Sequence, residues 1–311
     1  MANDDVSTDQ ILSGYQFVDL DRLALWRERI EAYAARAGLK GTVLLAGEGI
    51  NFSLSGPAGA LDGWLAWIDA RLGCDAPVIN RQAVDEAPFL RLKVRVRDEI
   101  VTFDPRVRPT PESAGEALSP AAWNALLARE DLQLVDARND YEYRIGTFEG
   151  AVNPDTASFT EFKDYCREHL DPARPVAMFC TGGVRCEKAS AWLRHRGFPE
   201  VFQLHGGILG YIAATPPEDS RWRGECFVFD DRVSVDAALE PTGRVVCRGC
   251  RRPAAGLDPA GVPPISADGE CRLCGELFDE ARLGSLRERS RQVQLARERG
   301  RTHLGPDAQS N

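Results

Sequence analysis

Residues 176–188 read Val-Ala-Met-Phe-Cys-Thr-Gly-Gly-Val-Arg-Cys-Glu-Lys, an apolar run that breaks at Cys180 into a glycine-bearing loop and then a helical pattern from Cys186 to about Arg196. A short, wholly apolar strand must be buried on both faces, and a strand feeding directly into a helix is the joint of a parallel α/β sheet. Ligand sites in such sheets lie at the carboxyl ends of the strands, where Cys180 falls. The turn also sets the chemistry of the sulfur. Backbone N–H groups at a helix start carry partial positive charge and favour thiolate over thiol, the reactive form. Gly182 and Gly183 let the chain curl around the sulfur, Thr181 and Val184 complete the loop, and Arg185 closes it with a fixed positive charge. A lone cysteine would be read as packing; sulfur, glycines and arginine at one turn are read as a reactive site.

The flanking sequence extends the α/β pattern. Ser119-Pro120 opens a helix as N-cap and first-turn proline, Leu132–Ala137 reads as a buried strand, Phe159–His169 as a helix, and Val201–Leu204 as a strand before Gly206-Gly207. The first hundred residues alternate differently: a strand over Tyr15–Leu20, a helix over Asp21–Ala37, strands over Thr42–Ala46 and Ile50–Leu54, a helix over Ala58–Leu72, and a strictly alternating strand over Leu90–Arg97. The order βαββαβ predicts a ferredoxin-like, acylphosphatase-like sandwich. The expected organisation is therefore an N-terminal domain over 1–103, a proline-rich linker over 104–117, a catalytic parallel-sheet domain over 118–220, a small cysteine module over 221–290 and an arginine-rich, disordered tail over 291–311.

Nine cysteines, an acidic N-terminus without an apolar core, and no apolar run of bilayer length predict a cytoplasmic protein with no membrane partner. Cys247-x2-Cys250 and Cys271-x2-Cys274, separated by 20 residues, have the spacing of two knuckles around one structural Zn²⁺. Cys74, Cys166 and Cys226 are expected to be buried. The net charge of −9 is unevenly spread: residues 244–301 hold twelve arginines against eight acids. Two basic stretches are candidates for RNA contact, namely Arg91, Lys93, Arg95 and Arg97 on the alternating strand, and Arg287, Arg289 and Arg291 near the C-terminus. Each is also the ordinary composition of a solvated face.

The spacing Cys180-x4-Arg185 is one residue shorter than the Cys-x5-Arg loop of tyrosine-phosphatase-like enzymes, so it suits a sulfur-sized anion better than a phosphoryl group. With Val135-Asp-Ala-Arg138, Tyr141-Glu142, Gly146–Ala151 and this loop, the chain resembles the rhodanese superfamily. With Ala46-Gly-Glu-Gly-Ile-Asn51, Cys180–Ser190, Gln203–Leu209, Gly224–Val233 and the paired cysteines, it is more narrowly similar to the bacterial tRNA uridine(34) hydroxylase family, over roughly residues 15–280. One departure stands: Phe52-Ser53 follows Asn51 where that family carries Gly-Thr. The resemblance implies oxygen-dependent formation of 5-hydroxyuridine at the wobble position of tRNA, with the anticodon region as partner, O₂ as cosubstrate and Cys180 as the active-site cysteine, carried as a persulfide in the family.

Around that cysteine, Asp136 and Arg138 are expected to form an internal ion pair that fixes the loop. Cys186 is either a resolving thiol or a packed helix residue, and His205 is a structural loop histidine. No flavin, haem or iron site is evident in the sequence, whose four histidines form no ligand-like cluster. The rival readings are a plain sulfurtransferase and a non-catalytic RNA-binding scaffold; the intact Cys180 and Arg185 speak against the scaffold.

Overall fold

The computed structural model describes residues 9–257 and 261–299 and divides the chain into two compact units. The first runs to Cys226 and takes back Ala237–Leu239; the second holds Phe227–Asp236 and the chain from Glu240 onward.

The first unit opens with β1 (Asp9–Phe17), α1 (Leu23–Arg36), β2 (Lys40–Ala46), β3 (Gly49–Pro57), α2 (Ala58–Leu72), β4 (Val78–Ala83) and β5 (Leu92–Val96). The sheet order is β4-β1-β3-β2-β5, with β1 antiparallel to β3 and β4, β2 antiparallel to β3, and β5 added parallel to β2. This is the expected ferredoxin-like arrangement with one strand more. The alternating segment at 90–97 is that fifth strand, and β4 takes the place assigned to it. Leu12, Leu54, Phe52, Trp64, Ile30 and Ile68 fill the space between the sheet and its two helices. Phe52, the departure from the family pattern, lies opposite Gly14 in the register, and its ring covers the glycine so closely that a Cβ there would meet Cζ at 2.8 Å. A large side chain thus fills what a glycine leaves open on the neighbouring strand.

The same unit continues with β6 (Glu116–Leu118), α3 (Pro120–Leu126), β7 (Gln133–Asp136), α4 (Asp140–Tyr143), β8 (Gly146–Phe148), α5 (Phe162–His169), β9 (Val176–Phe179), α6 (Val184–His195), β10 (Val201–Leu204), α7 (Gly207–Ala214) and β11 (Trp222–Gly224). Strands β6, β10, β9 and β7 form a wholly parallel sheet in that order. Val176 and Met178 pack on one face with Phe162 and Cys166 of α5 and Leu193 of α6. Phe179 turns to the other face, where Trp123, Phe148 and Trp222 surround it edge-on. Helices therefore cover both faces, as the apolar strands required.

The stretch 104–117 is not the free linker its prolines suggested. Asp104 is buried and bonded to the backbone N–H and guanidinium of Arg106, and β6 begins inside the stretch and becomes the edge of the parallel sheet.

In the second unit a two-strand ribbon (Val245–Val246 with Pro253–Ala254) precedes α8 (Glu280–Glu298). Residues 291–298, expected to be disordered, belong to that helix, whose Leu283 and Leu286 are buried with Phe278 against the cysteines. The rest of the expected tail, from 300, lies outside the described residues. No helix among the described residues is long and apolar enough to cross a membrane.

Candidate active site and metal centre

Cys180 follows the last residue of β9, a central strand, and α6 begins four residues later. Between them Gly183 adopts φ +104°, a conformation that L side chains rarely reach, and its N–H donates to Cys180 Sγ at 3.2 Å. The first turn of α6 adds two donors to the same sulfur, the Cys186 backbone N–H and the Cys186 thiol. Burial pushes the Cys180 pKa up, but the Cys186 thiol, the Arg185 guanidinium and the two backbone N–H groups outweigh it and bring it down to about 5. The Cys186 pKa moves the other way, raised by burial and by the neighbouring sulfur to which its thiol donates. The pair is a thiolate beside a thiol, and Cys186 is packed wholly inside the domain.

Arg185 does not hang free over the loop. Its guanidinium grips the Glu142 carboxylate with two bonds of 2.8 Å and reaches Thr181 Oγ1 at 3.3 Å. Glu142 also accepts the Asn139 N–H, closing a capping box at the start of α4. Burial would raise the Glu142 pKa; Arg185 overrides it and holds the carboxyl below its usual range. Asp136 and Arg138 form the expected ion pair, bonded at 2.6 and 2.9 Å and completely buried, with Thr147 Oγ1 donating to Asp136 as well. Behind the loop, the N–H of Ile208 donates to the Cys180 carbonyl at 2.9 Å and that of Leu209 to Thr181 at 3.1 Å. Gly207 permits this docking, because a Cβ there would lie 2.5 Å from the Cys180 oxygen. His205 is exposed and ties the edge of the sheet through its N–H to the Leu118 carbonyl.

The N-terminal sheet reaches this loop directly. On the face of the sheet away from its helices, Tyr15 donates its hydroxyl to Glu187 Oε2 at 2.7 Å, and Asn80 Nδ2 donates to the Gly206 carbonyl at 3.1 Å. Beside them Lys188, with no exposed surface, is bonded to both oxygens of Glu48 at 2.8 and 2.7 Å and to Glu99 Oε2. Glu48 and Asn51, singled out only as a motif, are thereby structural: Glu48 also accepts the Ile100 N–H, and Asn51 donates to the Ile100 carbonyl. Tyr15, Glu187 and the Lys188 cluster carried no reading of their own in the sequence, and Glu142 stood there only in the Tyr141-Glu142 motif, without a partner. Only the capping-box spacing Asn139-x-x-Glu142 offered a local signal.

Arg91, Lys93, Arg95 and Arg97 line a groove of about 500 Å³ together with Arg27 and Glu31 of α1. Arg287, Arg289 and Arg291 lie on α8 in the other unit, where Arg291 is paired with Glu288 and Arg289 faces Arg248.

In that unit the two cysteine knuckles have the same backbone. Cys247 accepts from the N–H of Arg251 and donates to the Arg252 carbonyl; Cys271 accepts from Gly275 and donates to Glu276. Arg251 and Gly275 hold matching positive φ values of 66° and 72°. Cys250 is in hydrogen-bond contact with Cys247 and Cys274, and Cys271 with the same two, so the four sulfurs close a ring. The ligand atoms of Cys250, Cys274 and the exposed Glu276 lie within 4.8 Å of one another. Four convergent thiols on paired knuckles fit one Zn²⁺.

Residues 10–100 match the UPF0176 acylphosphatase like domain and residues 119–214 the Rhodanese-like domain. The chain thus joins an acylphosphatase-like domain to a rhodanese-like one that carries a cysteine-based site. Among solved structures, the Alr3790 protein from Anabaena sp. is 21% identical over 34% of this chain and 91% of its own, with a TM-score of 0.30. A rhodanese-like domain protein from Staphylococcus aureus is 23% identical over 31% and 90%, with a TM-score of 0.27.

Proposed function

We propose that this protein hydroxylates the wobble uridine (position 34) of tRNA to 5-hydroxyuridine, with Cys180 as its nucleophile. The observation that carries the reading is a thiolate, stabilised to a pKa of about 5, at a rhodanese-like loop that an acylphosphatase-like sheet closes over. A rhodanese loop alone suffices for a small sulfur donor. The added sheet, with its groove of four basic strand residues and Arg27, supplies what a polyanionic substrate needs. Dioxygen is the cosubstrate implied by the family resemblance.

In this reading the Cys180 thiolate adds to C6 of the uracil, which is turned out of its stack. The new S–C6 bond shifts the C5=C6 electron pair toward C5 and O4, and C5 takes one oxygen atom of O₂, while two protons and two electrons from an external thiol reductant carry the other oxygen atom to water. Loss of the C5 proton and expulsion of Cys180 restore the ring. Arg185, fixed by Glu142, stabilises the sulfur anion when it leaves. Cys247, Cys250, Cys271 and Cys274 would hold one Zn²⁺ as a structural cross-link, since four thiolates leave no open position for chemistry.

The alternative is sulfur transfer, favoured by the match to the rhodanese-like domain and by the short loop, which suits a Cys180 persulfide. Nucleoside analysis of tRNA separates the two. Cells lacking the gene should lose 5-hydroxyuridine derivatives and regain them with the wild-type gene, not with Cys180→Ser. Loss of a thiolated nucleoside in their place would establish sulfur transfer instead.

A further inference from the structure

Tyr15 belongs to the N-terminal sheet, yet its hydroxyl oxygen would lie 3.0 Å from a Cβ placed on Gly183, the residue whose N–H holds the Cys180 sulfur. The hydroxyl donates to Glu187 at 2.7 Å across 172 residues of sequence, one helical turn beyond that glycine. Val184, the first residue of α6, packs in the same small cluster as Tyr15 and Ile100. We propose that Tyr15 and Glu187, one from each domain, are a positioning pair that holds the Gly183 turn against Cys180, making the N-terminal sheet part of the catalytic machinery.

The physical case is local. Gly183 sits at φ +104° with no side chain of its own, so nothing on its own residue resists a peptide flip that would turn its N–H away from the sulfur. The Tyr15 hydroxyl and ring edge lie beside it, and the bond to Glu187 fixes that same hydroxyl in place. Tyr15 is buried and Glu187 half-buried. Burial and the adjoining carboxylate raise the Tyr15 pKa, and burial raises that of Glu187. The groups facing the pair are Cys180 and Cys186 on the loop side and His205 on the side of β10.

The proposal rests on Cys180 being the reacting group, and the alkylation arm of its test does not require the tRNA reading to hold. In the full-length protein, the rate of Cys180 alkylation by iodoacetamide, followed site by site by mass spectrometry across pH, reports the thiolate directly. Tyr15→Phe removes the hydroxyl and keeps the ring; it should move the alkylation midpoint upward and cut tRNA turnover about tenfold, the size of one hydrogen bond to a charged group. Glu187→Ala should do the same, the double variant should be no worse than either, and Glu187→Gln, which still accepts from Tyr15, should restore both readouts. An unchanged profile in Tyr15→Phe, or additive losses in the double variant, overturns the pair. If the alkylation profile shifts while Cys180→Ser still forms 5-hydroxyuridine, the pair stands and the assignment of Cys180 to hydroxylation falls.

Discussion

The sulfur of Cys180 has a buried anion's difficulty: desolvation opposes its charge, and only directed donors overcome it. Cys186 is the largest of these, so the second cysteine acts first as a proton donor. It does so from a buried position in which its thiol touches the Cys180 sulfur. The pH dependence follows from the sign of the shift. A thiol brought down to about 5 is thiolate above that pH, so alkylation of Cys180 should be level through neutrality and fall by half near pH 5. In Cys186→Ala the midpoint should climb back toward the ordinary thiol range, with iodoacetamide kinetics as the measurement. Cys166, which burial raises without compensating donors, should stay unlabelled at neutral pH in the same experiment.

At the scale of the elements, the loop between β9 and α6 is braced from behind by α7, whose first N–H groups are satisfied by the Cys180 and Thr181 carbonyls. Gly207→Ala forces a Cβ into those carbonyls at a residue with φ +63°. It should cost at least the ~1–3 kcal/mol of a strained backbone residue, read from the urea midpoint, and should lower the plateau rate of Cys180 alkylation. Whatever is local in sequence could be read before the structure was known: the strand–Cys–glycine–helix turn, the knuckle spacing, and the 3.6-residue helices with their glycine stops. What escaped was non-local or polar. Strand β4 (Val-Ile-Asn-Arg-Gln-Ala) alternates too weakly to announce itself, because it is a half-buried edge that pairs on one side only. The Tyr15–Glu187 and Lys188–Glu48 bonds join residues 172 and 140 apart, and no periodicity connects such partners. The segment 104–117 has the composition of a linker, and only tertiary contact makes an edge strand of its end.

For the whole molecule, the four-cysteine module predicts a stoichiometric metal. One Zn²⁺ per chain should be released on thiol modification, and its removal by a chelator should lower the thermal transition. The Lys188 cluster predicts a large stability effect away from any substrate. Lys188→Met strands two carboxylates in a buried setting and should cost ~3–5 kcal/mol in denaturant unfolding, whereas a surface pair such as Arg27–Glu31 should be nearly silent. That cluster also imposes an order on biosynthesis. Glu99 leaves the ribosome 89 residues ahead of Lys188, a wait of about 5–20 s at the usual rate of ~5–20 residues per second. Throughout that interval the emerging sheet can fold around its two helices, but its other face keeps the Glu48 and Glu99 side chains in water. The growing chain therefore carries a polar, hydrated flank until the next domain arrives with the Lys188 side chain that covers it.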